Sequence, residues 1–471
     1  MKSSWFIIRL LILVLIVSVV PLQGNSQAQE EQPSGPIYLV QEGDTLWDIA
    51  QRFGVPVEDL ASENNISDPA QLSAGDELVI PGIESASGVL VTTKVQFGEN
   101  IRSLSRRYQV PKNSIIRLNH ITSPTELFKG YDLVIPEDSL DGVPKDRLAL
   151  AEGQSLIELA VAKGINPWTI VNSNGLSGTW SIVPGDVLLV SDQDSIDGPG
   201  SLPGEIVAME ITPEPLTQGK TTLLRLQANE ELSADGTLIG NKLNFFHNGD
   251  GEYVALQGVH ALTEPGLYPL IVEGELETGV PFGFSQMFLV SPGDYIFESL
   301  VVPPETIDPA NTKPEDEIWY ALPEPATPKR LWDGVFQSPV APSPCGFTDT
   351  FGHRRSYNGS PYNYFHTGLD FCYNYNNEVN EIYAPADGVV VFAGELVVRG
   401  NAVMIDHGWG VYTGYMHQEE ILVDVGDQVE TGQVIGIVGD TGRVNGPHLH
   451  LEVWAGEVQV DPMDWLERTY P

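Results

Sequence analysis

Six of the nine histidines lie after Arg330, and two short motifs carry most of the chemistry there: His366-Thr-Gly-Leu-Asp370, and further along His448-Leu-His450. A catalytic zinc wants three protein ligands from His, Cys or carboxylates and an open fourth position for water. His366, Asp370 and one histidine of the pair supply three. In an extended strand, residues four apart stand roughly 13 Å from each other, too far to share a metal. The chain must therefore bend between His366 and Asp370, and Gly368 permits that bend. His448 and His450 lie on one face of a strand, roughly 6–7 Å apart, which suits one as ligand and the other as an acid or base beside it. Either motif alone is unspecific. Together they suit a catalytic zinc with an open position.

The rest of the composition narrows the alternatives. Lys+Arg number 24 against 64 Asp+Glu, a net charge of −40, so a nucleic-acid backbone would be repelled and no such partner is expected. With two cysteines, Cys345 and Cys372, neither a four-cysteine zinc site nor a disulfide-dense fold is available. The two flank the first motif, and a bond between them, worth on the order of 3–4 kcal/mol by chain entropy, would steady Asp370. The chain has 471 residues, enough for three or four domains at roughly 150 each. Its 47 Gly and 35 Pro exclude an all-helical fold. Residues 1–28 read as a signal peptide: Lys2 and Arg9, an apolar run over 10–20, then small residues, with cleavage expected after Ala28. An exported protein follows, in the cell wall, the periplasm or the medium. It is expected to be a monomer, with no stable membrane span once the signal is removed.

The elements that surround these residues begin with a repeat. Gly43, Gly98 and Gly153 recur at a spacing of 55 residues, and so do Leu46, Ile101 and Leu156; Asn64, Asn119 and Asn174; Gly75, Gly130 and Gly185; and Leu78, Leu133 and Leu188. Each unit reads as β-α-α-β, with units at 37–81, 90–136 and 147–190. The first, with VQEGDTLWDIAQRFGV, ENN and LSAGDELVIP, closely resembles a lysin motif (LysM), a small module that binds N-acetylglucosamine-containing glycans such as peptidoglycan. The resemblance implies glycan contacts from Gly43, Asp44, Thr45 and Leu46 in one loop and Asn65, Ile66 and Ser67 in a second. Copies two and three have GENI and GQSL where the first has GDTL, so the first is expected to dominate binding. Residues 191–204 read as a linker. Short alternating runs over 205–300 indicate an all-β sandwich of immunoglobulin type. Its His247 and His260 are expected to be surface or packing residues. Seven prolines in 301–330 suggest a stiff, extended Pro-rich linker.

The remaining segment, 331–467, resembles the lysostaphin-like, LytM-type zinc peptidases that cut peptidoglycan cross-bridges. FGHRRSYNGSPYNYFHTGLDF, NAVMIDHGWGVYTGYMHQ and GDTGRVNGPHLHLEVW carry the likeness. By position it implies His366, Asp370 and His450 as Zn2+ ligands in a mostly β metallopeptidase domain. His448 and His417 would be the catalytic pair, one taking the water proton, the other stabilising the oxyanion, or the two exchanged. His407 and His353 are expected to be packing and loop residues. A departure is RVN before Gly446, and the loop around Tyr362 and Tyr364 is this chain's own; both bear on substrate choice. The expectation is a multidomain, exported peptidoglycan hydrolase. The alternative is a non-catalytic wall-binding scaffold that activates a separate amidase.

Overall fold

A computed structural model describes residues 35–83, 88–123, 126–137, 146–190, 198–342, 344, 346–376 and 380–471. The expected signal peptide and Cys345 lie outside the described residues.

Each repeat builds its two short helices by the same local rules. In the first, Leu46, Ile49, Ala50 and Phe53 fill one face of the helix Leu46–Phe53 and are buried, the 3.6-residue pattern of an amphipathic helix. Thr45 caps its start by accepting the Asp48 N–H, and Gly54 ends it in the left-handed conformation at φ 64°, where glycine carries no Cβ penalty. The repeating asparagine explains itself in space. The Asn64 side-chain amide donates to the Leu60 and Val79 carbonyls and its oxygen accepts the Val79 N–H, tying the second helix to the closing strand. Asn119 makes the same three bonds to Ile115 and Val134, and Asn174 to Ile170 and Leu189. Repeats one and two share a four-stranded sheet through a parallel pairing of Ile37–Leu39 with Val89–Lys94. The third has its own two-stranded sheet, Asp146–Ala149 with Val187–Val190.

Residues 206–291 form two sheets over one core that includes Leu224, Leu226, Val272 and Phe288. The segment 198–204 is not free. Leu202 is fully buried in the sandwich core, and the buried Arg147 side chain donates to the carbonyls of Pro199, Leu202 and Ile206.

Besides a three-stranded sheet of Phe297–Leu300, Arg354–Tyr357 and Tyr364–Phe365, the C-terminal region is built on one large sheet. Its main path runs Phe347–Asp349, Leu369–Cys372, His448–Ala455, Val411–Ile421, Gly400–Gly408, Gly388–Leu396, Gln428–Val429. Sandwich and sheet share a hydrophobic cluster: Leu223 and Leu256 from one, Trp332, Trp409, Val453 and Trp465 from the other. Lys220 pairs with Asp461 and Asp464 across the same junction.

The stretch 301–330 departs from the extended connector that its prolines suggest. Residues Pro309–Ala321 form a helix, capped by Asp308 with Pro309 in its first turn, a position where proline's missing N–H costs nothing. Packing of its buried Trp319 against the large sheet supplies what local propensity does not.

Candidate metal centre and ligand loops

Antiparallel pairing sets Asp370 directly opposite His450, so two strands deliver two side chains to one point. His366 enters from the turn between Tyr364–Phe365 and Leu369–Cys372. Gly368 matters there for clearance: a Cβ would stand 2.2 Å from the Leu451 carbonyl oxygen and 2.7 Å from His450 Nε2. The atoms His366 Nε2, Asp370 Oδ1 and His450 Nδ1 converge at 3.1, 3.0 and 2.7 Å from one another. None of the three residues is more than 8% exposed.

The surrounding hydrogen bonds show what this triangle suits. His366 Nδ1 lies 2.9 Å from the Thr350 carbonyl and so carries the proton, leaving Nε2 as a lone pair. His450 Nε2 faces Thr367 Oγ1 at 3.3 Å and Glu452 Oε1 at 3.6 Å, which leaves its Nδ1 as a lone pair as well. Two imidazole lone pairs and a carboxylate oxygen thus point at a common centre in a buried site. They repel unless a cation or a proton sits among them. In the proton-bound form, burial pulls His450 down but is outweighed by its hydrogen bond to the Asp370 carboxylate and the nearby Glu452 carboxylate, which raise it to about 9. Burial likewise opposes Asp370, yet His366 and His450 hold it well below the usual carboxylate range. The N2O donor set, with three ligands, fits a metal such as zinc.

Glu452 is a residue that the motif analysis passed over. Fully buried, its carboxylate accepts from Trp319 Nε1 at 2.9 Å, Trp454 Nε1 at 3.0 Å and Gln459 Nε2 at 2.8 Å. Burial would raise its pKa, but His450 and Arg399 lower it to about 2. The signal was present in His448-Leu-His450-Leu-Glu452: period two places all three on one strand face.

His448 Nδ1 donates to the Gly446 carbonyl at 2.9 Å, and its Nε2 stands 3.7 Å from Asp370 Oδ1. His417 Nδ1 donates to the Thr441 carbonyl at 2.8 Å, and its ring centroid lies 5.0 Å from that of His448. Its backbone is unusual, with φ 63°. One extra residue in Val411–Ile421, between the partners of Asn401 and Val403, makes a β-bulge there, and a bulge re-aims a side chain. Burial first, then the charges of His450 and His448, depress His417 to about 3.

The other histidines have packing partners. His407 is fully buried between the Asp387 carbonyl and Thr413, and burial lowers it to about 4. His353 contacts Thr350 and Asp349. Nearby Glu298, Asp349 and His353 also cluster, but Arg355 already pairs with Asp349. His247 is exposed and His260 packs edge-on against Phe365. Cys372 faces His448 across the strand pair and is not among the clustered groups. Its expected bond to Cys345 falls outside the described residues. The departing Arg443 stacks over Tyr357 at 4.9 Å and donates to the Thr306 carbonyl. Exposed Tyr362 meets Phe297, from the strand Phe297–Leu300 that pairs with Arg354–Tyr357.

In the repeats, the expected glycan residues divide. Gly43, Thr45, Asn65 and Ser67 are exposed, whereas Leu46 belongs to the core and Ile66 packs against it. Asp44 is engaged by Tyr38 and the Gln41 N–H. Beside this loop stands Trp47, 60% exposed, which the apolar period of its own helix turns outward. Repeat two differs. Phe97, Gly98 and Glu99 are buried: Gln286 of the sandwich bonds the Gly98 N–H and the Gln96 carbonyl, and Ser201 bonds Asn100 and Gly98. Phe97 sits edge-on to Phe284 and Phe288. The corresponding loop of repeat three is exposed at Gly153 and Ser155, with Ile157 where repeat one has Trp47.

Comparison with known proteins matches residues 364–462 to Peptidase family M23, and residues 38–81, 93–136 and 151–191 to the LysM domain. The chain therefore carries three LysM repeats and a C-terminal M23 peptidase domain. The peptidoglycan DD-endopeptidase ShyA of Vibrio cholerae is 46% identical over 88 residues, 19% of this chain and 20% of that one. The murein hydrolase activator EnvC of Escherichia coli is 38% identical over 92 residues, 20% and 22% of the two chains. The structure of the antimicrobial peptidase lysostaphin from Staphylococcus simulans aligns at 33% identity over 22% of this chain and 44% of that one, with a TM-score of 0.20. The matched stretches span 20–27% of the first curated relatives. Among the described residues no helix is long and apolar enough to cross a membrane.

Proposed function

We propose that this protein is an exported peptidoglycan hydrolase, a zinc endopeptidase that cleaves stem-peptide cross-links and is held on the wall by its LysM repeats. The observation that carries it is the buried convergence of His366, Asp370 and His450, flanked by two further histidines whose Nδ1 protons are committed to backbone carbonyls. The relatives named as DD-endopeptidases favour a D,D-peptide bond as the one cut.

His366, Asp370 and His450 would hold zinc, which when bound supplies Lewis acidity to a scissile carbonyl and acidifies water. The protein's own groups do the rest. With Nδ1–H spent on Gly446, His448 presents Nε2 as an acceptor and takes the proton of the attacking water. His417, kept neutral by burial, offers Nε2 in the same way; it orients the water first and donates to the oxyanion or the leaving amine only after receiving a proton. Arg443 and the loop of Tyr362 would bear on the choice of peptide. A single chain completes the site.

The exposed loop of repeat one, with Gly43, Thr45, Asn65 and Ser67, would bond acetamido and hydroxyl groups, and Trp47 would stack on a sugar face. Asp44, whose N–H and carboxylate are engaged within the loop, and buried Leu46 would shape it. Tethering raises the local concentration of cross-links around the peptidase. A Cys345–Cys372 bond, the cleaved signal peptide and an immunoglobulin type for the sandwich belong to the same proposal.

The test is mass analysis of fragments released from purified walls, with and without a chelator. Cross-linked dimers should resolve into monomers only when zinc is present. A scaffold that activates an amidase would release no peptide fragments by itself and would have no need of the cluster.

A further inference from the structure

Residues 301–330 contribute nothing to the candidate site directly, yet two buried side chains of the helix Pro309–Ala321 lead to its two halves. These are Glu315 and Trp319, four apart and so on one helix face. Trp319 lies against Gly414, where a Cβ would come within 2.6 Å of the indole. Its Nε1–H holds the Glu452 carboxylate at 2.9 Å, and Glu452 Oε1 faces His450 Nε2 at 3.6 Å.

Glu315 leads to the other half. Its carboxylate accepts the Val398 and Arg399 N–H groups at 2.7 and 3.1 Å and the Arg399 guanidinium at 2.6 Å. The Arg399 carbonyl then accepts the His417 N–H at 2.9 Å, at the residue whose φ is 63°. The guanidinium stands over the Trp319 ring at 5.3 Å, closing the two chains on each other. A helix that only covered the sheet would do so with aliphatic side chains, since burying charge is costly. This one buries a carboxylate and an indole donor.

We propose that the helix Pro309–Ala321 is a positioning element of the peptidase centre: Trp319, through Glu452, fixes the imidazole of His450, and Glu315, through Arg399, holds the backbone of His417. The inference rests on the metallopeptidase proposal above. It places essential support outside the 364–462 span that matches the peptidase family.

The test uses the full chain with Trp319→Phe, Glu452→Gln, Glu315→Gln and, as a control on an exposed face of the same helix, Glu317→Gln. Zinc affinity is read by competition with a chromogenic chelator, kcat and KM on cross-linked muropeptide, and folding by thermal midpoint. Loss of a group that orients a metal ligand typically weakens metal binding about 10–100-fold. Glu452→Gln should fall in that range, with Trp319→Phe in the same direction. Glu315→Gln should keep zinc affinity and KM while kcat falls about 10–100-fold, the effect of misplacing a reacting group. The control should match the parent. If Trp319→Phe does not fold, the isosteric Glu452→Gln carries the same readout. Lower thermal midpoints with unchanged zinc affinity and kcat would overturn the proposal. A parent chain that takes up no zinc would instead sink the metallopeptidase reading itself.

Discussion

The candidate metal centre and the loop of the first LysM repeat would solve recognition in opposite ways. At the centre, three donor atoms lie within 3.1 Å of one another, two from paired strands of one sheet and one from the turn before the first of them, and all are buried. In the repeat, Gly43, Thr45, Asn65 and Ser67 sit exposed on turns beside helices of seven or eight residues. A buried, preorganised site concentrates its energy in few groups, so losing one is nearly all or nothing. An exposed loop spreads a modest energy over many weak contacts and gains strength by repetition. Repeat two marks the limit of that strategy: its equivalent loop has become a joint to the sandwich.

The sharpest contrast comes from the ligands. Asp370→Ala and His450→Ala should each lose the metal and abolish cross-link cleavage, read by metal content and fragment release on the same sample. If either keeps a full metal equivalent and activity, the buried site is more forgiving than its geometry implies. Next, His417→Ala and His448→Ala should retain the metal but lose about 10²–10⁴-fold in hydrolysis, the usual weight of acid–base groups. Metal loss in His448→Ala together with retention in His450→Ala would reverse the two roles.

Acidity gives a graded version. His450 has a raised folded value, so its proton stabilises the metal-free fold fully below its unfolded value of about 6.5. That contribution is lost as pH rises through about 9. Zinc must displace this proton, so its affinity should climb about tenfold per pH unit over that window and then level off. A flat profile in a chelator competition would show that no such proton is displaced. Wall binding by the repeat should follow no comparable slope.

Smaller effects belong to the repeats. Trp47→Ala should weaken peptidoglycan binding only about 2–10-fold, as expected of one aromatic contact of roughly 0.5–1.5 kcal/mol, with metal content unchanged; deleting 38–81 should weaken it most among the repeats. Least affected should be Asn100→Ala. It removes the cap of the helix Ile101–Arg107 and about 1 kcal/mol of stability, yet pull-down on purified walls should match the parent. A clear loss of binding there would show that the second loop is not merely a joint.

Much of this was legible in the chain itself. The 55-residue period marked three units because each needs the same asparagine to tie helix to strand and the same glycine turns. The five residues His366, Asp370, His417, His448 and His450 stand out in the sequence through the two histidine motifs and the family resemblance. Trp47 and Glu452 obey the same periodicities, one on the outward face of the first helix and the other two residues beyond His450, but no motif marks them. The helix within 301–330 is not legible, because proline content argues against helix and carries no information about a tertiary partner; Trp319 packs against a sheet whose strands begin far downstream.

By itself the sequence determined what is local: which residue types can bind a metal, how far apart strand geometry places them, and which helix faces are apolar. Tertiary structure alone decided which histidine of the pair stands opposite Asp370, through the antiparallel register of Leu369–Cys372 with His448–Ala455. It also decided the bulge that turns His417 inward, and the burial of the second repeat's loop against Gln286 and Ser201. In each case the deciding partner lies tens to hundreds of residues away, and no periodicity within a short window carries information about a contact made across that distance.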